Sequence, residues 1–184
     1  MIQSWLNKYM NDLEEAKMIS PESTYLAEGM TQKKVLSEAH IIVEIRPGII
    51  GCTEEILRKM RKDATLILIE SDIDLVQNLK TRYGRDRRII IVEADALDLQ
   101  NILRALNIEE VDVIFSGLPF SKFNAEQTET ILREVKTVLS KTGWFVTFQY
   151  TKIRYDHFQQ IFSCVGVERE YRNVPPAYLF HCAM

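Results

Sequence analysis

The sequence predicts an α/β fold: a mostly parallel sheet with helices on both faces, closed by an antiparallel strand pair. Three observations carry this. Five short apolar runs are each followed by a segment with helical spacing, the pattern of a parallel sheet with crossover helices. Ala39 to Leu57 (AHIIVEIRPGIIGCTEEIL) reads as a strand, a tight Pro-Gly loop and a helix start. The last two apolar runs, 165–171 and 177–182, are joined only by a stretch containing NVPP. That connection is too short for a parallel crossover, so this pair must be antiparallel.

In chain order, Met1 to Met18 places Ile2, Trp5, Leu6, Tyr9, Leu13 and Ala16 on one helical face. The opposite face is slightly acidic. This predicts a helix that docks on the domain or joins two copies of the chain. Ser20 and Pro21 open a second helix as N-cap and first-turn residue. Ile41 to Ile45 is the first strand. Thr53 to Lys62 is a helix with Glu54 and Glu55 in its first turn, where negative charge suits the dipole. Thr65 to Ile69 is a continuous apolar strand ending at Glu70, and Ser71 and Asp72 cap the helix that runs to about Tyr83. Ile89 to Val92, a helix near Leu99 to Leu106, and Val111 to Phe115 continue the alternation. Asn124 with Gln127 has capping-box spacing, ahead of a helix marked by Ile131, Leu132, Val135 and Val138. Lys141-Thr142-Gly143 turns into a strand from Trp144 to Tyr150, followed by a helix around Tyr155 to Phe162. No linker or repeat interrupts the series. One domain over 1–184 is expected, with N-terminal helices over 1–37 and the α/β core over 38–184.

With 184 residues, 46% apolar and 27% charged, the chain has the composition of a soluble globular domain. A net charge of −3 gives no global attraction to nucleic acid or anionic membrane. The basic clusters Arg58-Lys59-Arg61-Lys62 and Arg85-Arg87-Arg88 could touch phosphate only locally. Cys52, Cys164 and Cys182 lack metal or disulfide spacing, which points to a reducing, cytoplasmic setting. His40, His157 and His181 are scattered and form no triad or metal pattern. No apolar stretch reaches the ~20 residues that span a bilayer.

Chemistry-bearing residues gather at the carboxyl ends of the predicted strands, where open α/β sheets bind ligands. Glu44 stands near the end of the first strand and Glu70 at the end of the second. Asp95-Ala96 follows the third, and Ser116-Gly117-Leu118-Pro119-Phe120 follows the fourth. This arrangement resembles the class I S-adenosylmethionine-dependent methyltransferases. The resemblance implies a Rossmann-like, seven-stranded sheet with its last strand antiparallel, and S-adenosyl-L-methionine as cofactor. Glu70 would hold the ribose hydroxyls, since a carboxylate can accept from both. Asp95 and Ala96 would flank the adenine, and the Glu44 loop would hold the remainder. SGLPF would face the methyl acceptor. SPESTYLAEGM, SGLPF and Arg172-Asn173-Val174-Pro175-Pro176-Ala177 are similar to segments of the bacterial phospholipid N-methyltransferases, relatives of the ribosomal RNA adenine dimethyltransferases. The RNA enzymes usually carry Asn-Leu-Pro-Tyr where this chain has SGLPF.

The cofactor loop departs from the family's acidic–x–Gly–x–Gly–x–Gly. Arg46 stands at the first glycine, Gly48 at the second and Ile50 at the third. Glycine serves such loops through φ > 0 and close backbone approach. Arg46 could donate to the cofactor carboxylate or fill the pocket. Three functions follow. The first is methyl transfer to a lipid headgroup amine, with peripheral membrane contact and with Ser116 and the Gly117 and Leu118 carbonyls orienting the amine. The second is methyl transfer to an RNA adenine, stacked on Phe120 and Tyr150; SGLPF makes a nucleic-acid acceptor the less favoured partner. The third is a binding or regulatory protein on an inactive fold. No residue stands out as a general base.

Overall fold

The computed structural model describes residues 24–47 and 51–184. The helix expected over Met1 to Met18, the Ser20-Pro21 cap, Gly48 and Ile50 lie outside the described residues. So does any contact between copies through that helix.

Two short helices, α1 (Thr24–Met30) and α2 (Lys33–Leu36), precede β1 (Ile41–Ile45). The series continues with α3 (Cys52–Lys59), β2 (Thr65–Glu70), α4 (Ile73–Tyr83) and β3 (Ile89–Glu93). Next come α5 (Leu99–Ala105), β4 (Val111–Ser116), α6 (Ala125–Val138) and β5 (Leu139–Gln149). The chain closes with α7 (Tyr155–Ile161), β6 (Cys164–Glu170) and β7 (Ala177–Ala183).

The strands form one seven-stranded sheet in the order β3-β2-β1-β4-β5-β7-β6. β1 to β5 pair in parallel, and β7 runs antiparallel to both β5 and β6. The sheet therefore has the expected strand count and the expected direction of its last strand. The continuous apolar run of β2 follows from its place inside the sheet: both faces are covered, and every residue from Leu66 to Glu70 is buried. β6, at the sheet edge, instead alternates exposed and half-buried residues, with Glu168, Arg169 and Glu170 near its end. Such charges discourage edge-to-edge pairing.

Two cores result. Ile42, Leu66, Leu68, Phe115 and Val146 pack under α1 to α4. Val43, Ile67, Ile114, Phe145 and Phe180 pack under α5 to α7. α6 contributes Ile131, Leu132, Val135 and Val138, whose spacing places them on one face. Its start is a full capping box: Asn124 Oδ1 accepts from the Gln127 N–H, and Gln127 Oε1 accepts from the Asn124 N–H.

The largest boundary difference from the sequence expectation is at β5. β5 begins at Leu139, which pairs with Val111, before the Lys141-Thr142-Gly143 stretch. That stretch bulges inside the strand, and regular pairing resumes at Val113 with Trp144. Gly143 permits it, because a Cβ there would lie 3.0 Å from the Ser140 carbonyl and 3.1 Å from that of Val111.

Candidate cofactor site and acceptor loop

The parallel strands β1 to β5 end on one side of the molecule. A cavity of about 290 Å³ opens there, lined by Arg46 after β1, Glu70 and Ser71 after β2, Asp95 and Ala96 after β3, and Leu118 after β4. Its far wall is Phe123, Asn124, Glu126, Gln127, Thr130 and Ile131, from the start of α6. Sequence reasoning missed this wall. Its one signal was the Asn124–Gln127 capping box, which marks a helix start facing the strand ends.

Glu70 is 3% exposed. Its Oε1 accepts from the Ser71 and Asp72 N–H groups at 2.7 and 3.0 Å, whereas its Oε2 is buried without a partner. Burial pushes the carboxyl up, opposed by those two N–H groups and by the Arg46 charge. Asp95 is both a pocket residue and a cap: its Oδ1 accepts from the Leu97 N–H at 2.9 Å, opening a 3₁₀ turn at Ala96–Asp98.

Arg46 takes φ +60°, the left-handed conformation that a glycine would supply. Its backbone N–H donates to the Ile69 carbonyl at 2.9 Å, stitching the loop to β2. Gly51 at φ +69° gives a second left-handed step just before α3. The Arg46 Nε is buried and unpaired, and burial lowers the guanidinium pKa against the pull of Glu70. Arg46 and Glu70 feel each other's charge but form no salt bridge. The cavity thus presents one unpaired carboxylate oxygen and one unpaired guanidinium N–H. A buried polar group without a partner costs roughly 1–3 kcal/mol, so both are set up for a ligand bearing hydroxyls and a carboxylate. S-adenosylmethionine carries both groups, and the residues present fit it.

Glu44 has a different place. It is buried on β1, and its Oε2 accepts from Thr53 Oγ1 at 2.6 Å, tying the start of α3 to the strand. It faces Cys52, Phe115 and Phe148, outside the main cavity.

The SGLPF loop is held from β5. Gln149 donates through Nε2 to the Leu118 carbonyl at 2.8 Å and accepts the Phe120 N–H through Oε1 at 2.9 Å. Thr147 Oγ1 donates to the Ser116 carbonyl at 2.9 Å, and Ser116 Oγ accepts from the Leu118 N–H at 3.2 Å. The Ser116 hydroxyl and the Leu118 carbonyl, both expected to orient an acceptor, are thus engaged in holding the loop. Gly117 is the remaining candidate. Pro119 leads into a short 3₁₀ turn. Phe120 does not offer the expected stacking surface: its ring is fully buried, edge-on to Phe123, Phe145 and Phe158. An apolar ring in a polar loop gains more by turning into the core. Tyr150, 36% exposed, keeps a reachable face.

Most of the basic clusters are locally neutralised. Arg58 and Lys59 pair with Glu55, Arg61 with Asp63, and Arg88 with Asp86.

The fold and the cavity define a class I S-adenosylmethionine-dependent methyltransferase. The chain belongs to the ribosomal RNA adenine dimethylase family, whose pattern it matches over residues 22–137. It is 29% identical over 179 residues to the ornithine lipid N-methyltransferase of Singulisphaera acidiphila, covering 97% of this chain and 93% of that protein. It is 33% identical over 94 residues to the ribosomal RNA small subunit methyltransferase H of Dictyoglomus thermophilum, across 50% of this chain and 32% of that one. In three dimensions it resembles the Burkholderia thailandensis 1,6-didemethyltoxoflavin-N1-methyltransferase solved with S-adenosylhomocysteine. There the TM-score is 0.68 at 10% identity, over 99% of this chain and 87% of that one.

Proposed function

We propose that this protein transfers a methyl group to an amine carried by a lipid headgroup. The observation that carries the proposal is the end-to-end similarity to a lipid N-methyltransferase, 97% of this chain against 93% of the relative. The similarity to an RNA methyltransferase covers half of the chain. Two features of the site agree. Of the two rings expected to stack a flipped base, Phe120 is closed into the core. The basic clusters that would grip an RNA backbone are largely paired with carboxylates.

The bound cofactor supplies an electrophilic methyl group. The chain supplies position. Glu70 Oε2 takes the ribose hydroxyls, Asp95 and Ala96 border the base, and the Arg46 guanidinium takes the amino-acid carboxylate. Gln149 and Thr147 hold Ser116 to Phe120 in one shape, so that the Gly117 carbonyl can accept from the incoming amine. Tyr150 offers a π face to the cationic nitrogen formed by successive methylation. Catalysis of this kind rests on alignment and exclusion of water.

The test is transfer from methyl-labelled cofactor to three acceptors: ethanolamine phospholipid, ornithine lipid and ribosomal RNA. Label in either lipid supports the proposal and identifies the headgroup. Label in RNA alone overturns it.

A further inference from the structure

Beside the acceptor loop, the same end of the sheet carries a surface that the site does not use. Ile153, Tyr171 and Val174 are 63%, 71% and 65% accessible. They lie in two neighbouring turns, 150–154 after β5 and 171–176 between β6 and β7. Strand pairing brings the turns together: Gln149 and Arg169 both lie opposite Tyr178 of β7. Side chains connect them. Lys152 Nζ sits 4.9 Å from the Tyr178 ring, and the Arg169 guanidinium lies 5.1 Å from the rings of both Tyr178 and Tyr171. Glu170, beside the second turn, is paired with Arg172 at 2.7 Å.

We propose that this paired-turn surface docks on an anionic lipid bilayer, with Ile153 and Val174 entering the headgroup region and Lys152 and Arg169 facing lipid phosphates. The proposal rests on the lipid-acceptor reading above and names the surface by which that acceptor is reached. Aromatic and basic residues alone would equally suit RNA. Exposed aliphatic tips do not, because nucleic acid offers them no apolar phase, whereas a bilayer interface does. The position also fits, since the turns stand at the strand ends where the cavity opens. A chain of net charge −3 has no global attraction to such a membrane, so attraction must come from a local patch of this kind.

The test uses the full chain and co-sedimentation with vesicles of ethanolamine phospholipid mixed with phosphatidylglycerol, compared with pure phosphatidylcholine. Two double variants are used: Ile153→Asp with Val174→Asp, and Lys152→Glu with Arg169→Glu. The first is expected to lower partitioning about tenfold or more, and the second to abolish the preference for anionic vesicles. Both should keep wild-type cofactor affinity and wild-type turnover on a soluble short-chain ethanolamine phospholipid. Unchanged partitioning of both variants overturns the proposal. So does loss of RNA binding or of self-association in the variants, where the wild type shows no vesicle binding. Failure of docking and failure of the acceptor reading are separable. Partitioning without transfer to any lipid sinks only the acceptor. Transfer to soluble lipid without partitioning sinks only the surface.

Discussion

Arg46 bears two costs at once. A non-glycine residue at φ +60° forfeits about 1–2 kcal/mol, and the buried Nε lacks a partner. Replacing it by glycine removes both, and gives back roughly 0.4–1 kcal/mol through the greater freedom of the unfolded chain. Arg46→Gly is therefore expected to be more stable than wild type by about 1 kcal/mol in thermal unfolding. If Arg46 takes the cofactor carboxylate, calorimetry on the same variant should show affinity falling about ten- to a hundredfold. Stronger binding by the variant would mean that the arginine plugs the site. Glu70→Ala is the companion test. Loss of the buried carboxylate oxygen should also weaken cofactor binding by about ten- to a hundredfold. Equal affinity in a folded variant would remove the ribose role.

At the scale of elements, α6 both closes the second core and walls the cavity. Asn124→Ala removes its cap and should cost about 1 kcal/mol in denaturant unfolding. It should also weaken cofactor binding, because Asn124 and Gln127 line the cavity. Asn124→Ser, which can still cap, should restore both; a stability loss with unchanged affinity would confine the helix start to a structural role. The strands were readable because burial on both faces demands continuous apolar runs, as in TLILIE. The strand-end positions of Glu70 and Asp95 were readable because each follows a continuous apolar run; that both also accept from backbone N–H groups is a matter of local geometry. Other features were not. Whether Phe120 turns inward depends on Phe145 and Phe158, 25 and 38 residues further along the chain. The α6 wall exists only once that helix docks across the strand ends. Lys-Thr-Gly reads as a turn in isolation and becomes a bulge only because Leu139 finds Val111.

For the molecule as a whole, one buried histidine predicts a loss of stability in acid. His181 on β7 is 4% exposed with both ring nitrogens unpaired, and Glu168 and Lys34 are the charged groups acting on it. Burial lowers its pKa below 6.5, so the unfolded chain takes up a proton that the folded one refuses. Stability from this residue is complete above that pH and is lost as pH falls through it, by at most about 1.4 kcal/mol per pH unit for one proton. Glu70, raised by burial, acts in the opposite sense, so the two must be separated. His181→Leu should flatten the decline of melting temperature between pH 7 and 5; an unchanged decline would assign it elsewhere. The strand order carries a consequence for biosynthesis. β7 is made after β6 yet lies between β6 and β5. Until β7 emerges from the ribosome, β6 has no strand to pair with and β5 presents an open apolar edge. The cofactor half can assemble on β1 to β4 while the side that meets the acceptor is still incomplete. A nascent chain halted before Ala177 would therefore hold a nearly finished cofactor pocket beside an unprotected edge, a form for chaperones to shield and proteases to clear.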